Sequence, residues 1–309
     1  MKNFINLKDI SATDLRKILN DAKKRKNRRK NLNTLDTDKD QPLKGKLIIQ
    51  MYEKPSSRTR LSFHIAINQL GAGSITVKAN ELHLGKGGES LSDTAKILST
   101  YGDGFLLRTD SDKKIEDFSK NLTIPIINLL SPSSHPCQVL SDIFTIEEIK
   151  KKPISKLNIC WIGDCNNVLN SLIAASVKFK FNLNVGCPKQ YSPPKFVMDW
   201  VKKNKRKIYI FNDPKKAAKN ADVVFSDKVV SLNDKGNKVK KLRDFKNYKI
   251  NQSLMKVANA ESIFLHCLPR GNEVSEDVFF SKKSKVWQQA LNRAHVQKSI
   301  LLYSFGKLR

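Results

Sequence analysis

The stretch Glu53-Lys54-Pro55-Ser56-Ser57-Arg58-Thr59-Arg60 follows an apolar run, Leu47 to Tyr52. Helix-like apolar spacing then resumes at Phe63, Ala66, Ile67 and Leu70 and ends at Gly71. Hydroxyls and guanidinium groups gathered where a strand gives way to a helix add donors to the unsatisfied amides of the helix start. That is the outline of an anion site. A capped helix with solvent-facing arginines fits the same octapeptide equally well, so the rest of the chain has to decide.

Similar polar clusters follow other strand-like runs. Arg108 closes Phe105-Leu106-Leu107, and His135-Pro136-Cys137-Gln138 follows Ile126 to Leu130. Asp164-Cys165-Asn166-Asn167 follows Trp161-Ile162-Gly163, and Asp227 with Ser231 follows Val223-Val224-Phe225. His266-Cys267-Leu268-Pro269-Arg270 follows Ile263-Phe264-Leu265. Open α/β sheets carry ligands outside the carboxyl ends of their strands, and all of these clusters lie there. One or two could fall so by chance; the whole set points to a shared active-site cleft. The first half offers arginines, hydroxyls, a histidine and a glutamine, donors suited to phosphate and a polarised carbonyl. The second half offers an amide, a carboxylate, a hydroxyl and a thiol, which suit an amino-acid-like partner. An anionic activated substrate attacked by an amine is the simplest chemistry for such a division.

The elements that would position these residues can be read from periodicity. Ser11-Ala12-Thr13-Asp14 before Leu15, Ile18, Leu19 and Ala22 reads as a helix with a capping-box-like start. The polar stretch from Lys23 to Asp40 reads as helix end plus loop. Leu47–Tyr52, Ser74–Lys78, Phe105–Arg108 and Thr123–Leu129 read as strands with room for helices between them, which implies βαβ units and a parallel sheet. After a helical run from Cys137 to Lys151 the alternation restarts at Asn158–Gly163, Asn182–Cys187, Ile208–Phe211, Asp222–Ser226 and Ser262–His266. Two doubly wound α/β domains, 1–150 and 151–285, follow from this, each with a mainly parallel sheet and with the active site in the cleft between them. A terminal helical segment, 286–309, is expected to pack back toward the first domain. His64 and His295 read as structural or surface residues, and Asp142 as a hydrogen-bonding partner on its helix.

At 309 residues the chain can build two cores. With 39% hydrophobic residues and no long apolar run, it shows neither a membrane span nor a signal peptide, and a cytoplasmic protein is expected. The five cysteines form no CxxC pair and no zinc spacing, which fits reduced thiols. The net charge of +28 admits a second class of function, a non-catalytic protein binding nucleic acid through its lysines with steep salt dependence. No zinc-finger spacing or aromatic RNA-binding motif accompanies the lysine runs, so a solvated basic surface is the expectation, with no nucleic-acid or membrane partner.

Three of the clusters carry a resemblance. Ser56-Ser57-Arg58-Thr59-Arg60 resembles the S-T-R-T-R signature of the aspartate/ornithine carbamoyltransferases, and His135-Pro136-Cys137-Gln138 resembles their second carbamoyl-phosphate motif. His266-Cys267-Leu268-Pro269-Arg270 resembles the H-C-L-P motif of the ornithine branch, where the aspartate branch usually has H-P-L-P. Order and spacing match over nearly the full chain. The resemblance implies that 1–150 binds carbamoyl phosphate and 151–285 binds ornithine. By position, Ser56, Ser57, Arg58, Thr59 and Arg60 would cradle phosphate. Arg108, His135, Pro136, Cys137 and Gln138 would bind the carbamoyl group, together with Cys267, Leu268 and the late arginine Arg293. His83, in Glu81-Leu82-His83-Leu84-Gly85, would complete the site of an adjacent subunit, so a homotrimer with shared sites is implied. Asn167, Asp227, Ser231 and Leu232 would bind ornithine, and Cys267, Asp227, Arg108 and His135 would be catalytic. No metal or organic cofactor is implied, because the phosphate itself activates the carbonyl. Ser57 stands where threonine is usual, Val229 where tryptophan is common, Leu232 where methionine is usual and Asn233 where glycine is usual. The Gly85-Lys86-Gly87-Gly88 loop is also one residue longer than the family's commonest pattern. These departures bear mainly on the amine, leaving aspartate, putrescine or an N-acylated ornithine as alternatives to ornithine.

Overall fold

β1 (Leu47–Tyr52) is buried along its middle because it is an interior strand. β2 (Gly73–Lys78) pairs on one side of it and β3 (Gly104–Arg108) on the other, with β4 (Ile126–Leu130) beyond β3, all parallel, in the order β2-β1-β3-β4. Covered on both faces, such strands need apolar runs; β3 has one in Phe105-Leu106-Leu107, and β4 is apolar but for the buried Asn128, whose amide donates to the Ile5 carbonyl at 3.1 Å. β2, at the edge, is partly exposed along its length. The structure, a computed structural model, describes residues 1–78, 88–230 and 236–308. His83, Gly85-Lys86-Gly87, Ser231, Leu232 and Asn233 lie outside the described residues.

The helices around this sheet begin where the sequence supplies caps. Ser11 accepts from the Asp14 amide at 3.0 Å and starts α1 (Ala12–Arg28), which buries Leu15, Ile18, Leu19 and Ala22. α2 (Ser57–Gln69) has no side-chain cap and no acid in its first turn, which carries Arg58 instead. α3 (Leu91–Tyr101) and α4 (Asp112–Asn121) are capped by Ser90 and Ser111, and α5 (Pro136–Lys150) opens on a proline. Ile49, Met51, Phe105, Leu107, Ile115 and Phe118 form one core cluster against the sheet.

The second sheet has the order β7-β6-β5-β8-β9, again parallel. Its strands are β5 (Asn158–Ile162), β6 (Asn182–Gly186), β7 (Tyr209–Phe211), β8 (Val223–Ser226) and β9 (Ile263–His266). The surrounding helices are α6 (Asn167–Phe179), α7 (Lys195–Lys203), α8 (Pro214–Ala218), α9 (Lys238–Asp244), α10 (Gln252–Met255) and α11 (Glu276–Phe279). Cys160, Ile162, Val224, Val229, Phe245, Ile250 and Phe264 share its core. α12 (Val286–Ser304) ends the helical structure. The chain divides into two compact units, Met1–Ser141 with Leu291–Arg309, and Asp142–Ala290. Among the described residues no helix is long and apolar enough to cross a membrane.

Candidate active site

Strand order explains why the polar clusters fall where they do. In the first sheet, connections leave β1 toward β2 on one side and return through β3 on the other, so the order reverses between β1 and β3. The octapeptide follows β1, and Arg108 ends β3 opposite Tyr52. In the second sheet the reversal lies between β5 and β8, and Asp164 to Asn167 follow β5 while Asp227 follows β8. Both clusters therefore occupy topological switch points, the crevices in which doubly wound sheets bind ligands.

In the first unit, Arg108 Nη1 donates to Ser56 Oγ at 2.9 Å. From α12, Arg293 Nη2 donates to Thr59 Oγ1 at 2.7 Å and Nη1 to Gln138 Oε1 at 2.5 Å. Thr59, Gln138 and Arg293 are all almost fully buried. His135 lies among these guanidinium groups. Burial first, then the charges of Arg293, Arg108 and Arg58, hold its imidazole well below its usual value of 6.5, so the ring is neutral near pH 7. Burial likewise raises the Tyr52 hydroxyl far above its ordinary range, against the pull of Arg293, Arg60 and Arg108. A concentration of fixed positive charge next to two helix starts, α2 and α5, is suited to a phosphorylated anion. A cavity of about 600 Å³ opens beside it, lined by Tyr52, Ser56, Ser57, Arg60 and Lys78 among others.

Not every expected ligand is alike. Arg58, Arg108, His135 and Arg293 are brought together, whereas Ser57 and Arg60 are exposed and face the cavity. Cys137 is wholly buried and its thiol donates to the Asn128 carbonyl of β4 at 3.4 Å, with burial pushing it up to about 12. Its side chain is therefore committed to β4, and Pro136 supplies no N–H. Glu53 was not singled out by sequence, yet it accepts from Thr109 Oγ1 at 2.5 Å and pairs with Lys114, tying the end of β1 to the turn after β3. Ser133 Oγ donates to Asp112 at 2.8 Å, which ties the turn before His135 to the start of α4.

In the second unit, Gly163 follows β5 at φ +133, a conformation that favours glycine, and its amide bonds the Gly186 carbonyl at 3.0 Å. Asn166 then caps α6, its Oδ1 accepting from the Val168 and Leu169 amides at 3.0 and 3.3 Å. With Oδ1 so fixed, Nδ2 points to Asp227 Oδ2 at 2.7 Å. The other Asp227 oxygen accepts from Cys267 Sγ at 2.8 Å. Asp227 thus links the loops after β5, β8 and β9 in one group. Asn167, the asparagine expected to bind the amine substrate, opens α6 next to this contact. Asp164 pairs with Lys241 at 2.9 Å, a partner that sequence spacing did not suggest.

The loop after β9 is held from behind. The Leu268 amide donates to His266 Nδ1 at 2.9 Å, so the ring proton sits on Nε2, which faces Glu273 Oε1 at 3.0 Å. Burial opposes ionisation of Glu273, but hydrogen bonds from His266 and the Gly271 amide hold its carboxyl below the usual range. Leu268 has φ +51, left-handed backbone of the strained kind found at binding sites, and the Leu268–Pro269 bond is cis. Arg270 pairs with Glu276 at 2.8 Å and lies over the Phe279 and Phe280 rings. Val229 is buried in the core of its own unit.

Comparison with known proteins agrees with this division of labour. Residues 2–148 match the carbamoyl-P binding domain of aspartate/ornithine carbamoyltransferase, and residues 155–304 match the Asp/Orn binding domain. The chain is 39% identical to an ornithine carbamoyltransferase of Brucella suis over 98% of its own length and 95% of that protein. It is 39% identical to one of Rhodopseudomonas palustris over 99% and 97%. Among solved structures, the ornithine carbamoyltransferase of Pyrococcus furiosus superposes with a TM-score of 0.91 at 36% identity, covering 100% of this chain and 98% of that one. The anabolic ornithine carbamoyltransferase of Campylobacter jejuni gives 0.90 at 32%, covering 99% and 100%. With its fold, both switch-point clusters and these full-length relatives in accord, the chain belongs to the aspartate/ornithine carbamoyltransferase family.

Proposed function

We propose that the protein transfers the carbamoyl group of carbamoyl phosphate to the δ-amino group of L-ornithine, giving L-citrulline and phosphate. The observation that carries the choice of amine is the Asp227–Cys267 contact at 2.8 Å, made by a thiol from a His-Cys-Leu-Pro loop and braced by Asn166. A carboxylate with a polar neighbour on each oxygen suits a basic amine; an acidic amine such as aspartate would meet repulsion there.

Arg58, Arg108 and the hydroxyls of Ser56, Ser57 and Thr59 hold the phosphate, with Arg60 at the cavity wall and Arg293 steadying Thr59 and Gln138. An ammonium has no lone pair, so ornithine must react as the free amine. Asp227, with Cys267 beside it, orients the δ-nitrogen and accepts its proton. Asn167 and Ser231 hold the α-amino and carboxylate groups. When nitrogen attacks the carbamoyl carbon, negative charge grows on the carbonyl oxygen, and Thr59, Arg108 and the neutral His135 donate to it. The C–O bond to phosphate then breaks, and the phosphate leaves with that electron pair into the arginine cluster. Fixing both reactants in line supplies much of the rate. A homotrimer in which His83 reaches the neighbouring subunit's site, and a place in arginine synthesis in the cytoplasm, complete the reading.

The test is product formation from carbamoyl phosphate with ornithine, putrescine, aspartate and N-acetylornithine in turn. Citrulline formation with kcat/KM highest for ornithine supports the proposal. Preference for another amine of the panel would reassign the substrate, and no transfer to any of them would end the proposal.

A further inference from the structure

The anion cluster depends on two helices meeting, since Arg293 of α12 bonds Thr59 of α2 across 234 residues of sequence. The connector between α1 and β1 ties the C-terminal end of α2 to the middle of α12. The Asp38 amide donates to the Gln69 carbonyl, the last residue of α2, at 2.6 Å, and Gln69 Nε2 donates to the Thr34 carbonyl at 2.8 Å. The Asp38 carboxylate in turn receives Lys298 Nζ of α12 at 3.0 and 3.2 Å. Arg25 of α1 and Arg29, the residue that ends it, also reach it, at 3.0 and 2.8 Å, and Arg25 extends to Asp21 at 3.2 Å and Asp40 at 2.9 Å. Two further bonds join α12 to α1, Lys26 Nζ to Asn292 Oδ1 and Ser299 Oγ to Asp21 Oδ2, each 2.7 Å.

Three cations and three carboxylates balance in this group, and Lys298 is 0% exposed. Burial lowers the Lys298 ammonium to about 8 against the pull of Asp38, so it remains charged near pH 7. An apolar residue would fill the same space without desolvating a charge. What directional bonds add is one fixed register of α12 against the connector. We infer that Lys298 and Asp38 are positioning residues for the carbamoyl-phosphate site, their ion pair holding α12 and α2 at the separation that keeps Arg293 on Thr59 and Gln138. The inference rests on the proposed reading of that cluster as the carbamoyl-phosphate site.

Steady-state kinetics of the full-length protein test it, varying carbamoyl phosphate at saturating ornithine and then the reverse, with melting temperatures taken alongside. Lys298→Met should raise KM for carbamoyl phosphate about tenfold or more while KM for ornithine holds, since small misplacement of a binding group is costly. It should also lower the melting temperature, because Asp38 loses one counter-charge. The double variant Asp38→Asn with Lys298→Met rebalances the group at two charges of each sign. It should recover melting temperature yet keep the raised KM. A wild-type KM in Lys298→Met, or recovery of KM together with stability in the double variant, overturns the inference; should the single variant not fold, the double variant alone decides. Arg293→Lys separates the two levels. If it leaves KM for carbamoyl phosphate unchanged, the reading of the Arg293 cluster fails. If it raises KM while the Lys298 variants do not, only the positioning role fails.

Discussion

Replacing Asp227 by asparagine changes the charge and leaves the size almost unaltered, so the structure sets the expected effect closely. Asn166 cannot turn its Nδ2 away from position 227, because its Oδ1 caps α6 and losing that cap costs about 1 kcal/mol. The new amide will therefore place its oxygen toward Asn166 and its nitrogen toward Cys267 Sγ, a workable arrangement that costs folding no more than about 1 kcal/mol. Catalysis loses far more. A charge-assisted hydrogen bond to the amine is worth about 1.5–3 kcal/mol, or roughly 10- to 150-fold. Loss of the proton acceptor removes a further factor of about 10²–10⁴. In a citrulline assay kcat/KM for ornithine should fall by at least about 10³, while KM for carbamoyl phosphate, with a separate set of ligands, moves less than about threefold. A stable Asp227→Asn protein with kcat/KM within a factor of about ten of wild type would refute the assignment of Asp227 as proton acceptor.

Arg108→Ala removes the guanidinium that donates to Ser56 and should lower turnover by about 10² or more with KM for carbamoyl phosphate raised; near-normal turnover would remove Arg108 from the mechanism. His135 makes a pH prediction. Its folded value is depressed below 6.5, so on acidification the unfolded chain binds a proton first, and stability falls as pH drops below about 6.5 toward the folded value. His135→Gln should flatten that acid loss in melting curves taken from about pH 7 to about pH 5, and an unchanged slope would contradict the burial and charge argument. If His83 completes a neighbour's site, mixing inactive Arg108→Ala and His83→Ala chains under exchange conditions restores about a quarter of the sites at equal proportions. No recovery from chains shown to co-assemble would confine each site to one subunit.

The strands and the polar clusters behind them were legible because parallel strands buried on both faces need apolar runs, and the ends of such runs are where ligands bind. Leu47–Tyr52 is a strand as read, and Thr123–Leu129 was misplaced only at its ends, with β4 beginning after Pro125. Strand order was not legible, since any parallel order fits the same runs. For that reason the switch points emerged only from pairing. Asn166 and Asn167 cannot be told apart by composition, but Asn166 caps α6 and thereby faces Asp227. The Lys23–Asp40 stretch reads as helix end plus loop, and α1 does run to Arg28, but nothing in its spacing reveals that Arg25 and Arg29 share Asp38 with a lysine 260 residues away from Asp38. Glu273 was hidden similarly: its role is set by a fold-back onto His266 within a turn that has no periodicity.

The central claim is a bond between one particular carbon and one particular nitrogen. Carbamoyl phosphate labelled with carbon-13 and ornithine labelled with nitrogen-15 at the δ position, incubated with the enzyme, should yield a product whose carbamoyl carbon signal is split by one-bond coupling to nitrogen. The same spectrum should be empty of that doublet for Arg108→Ala and Asp227→Asn. An unsplit carbamoyl signal with the wild-type protein, or a full-strength doublet from both variants, would contradict the account.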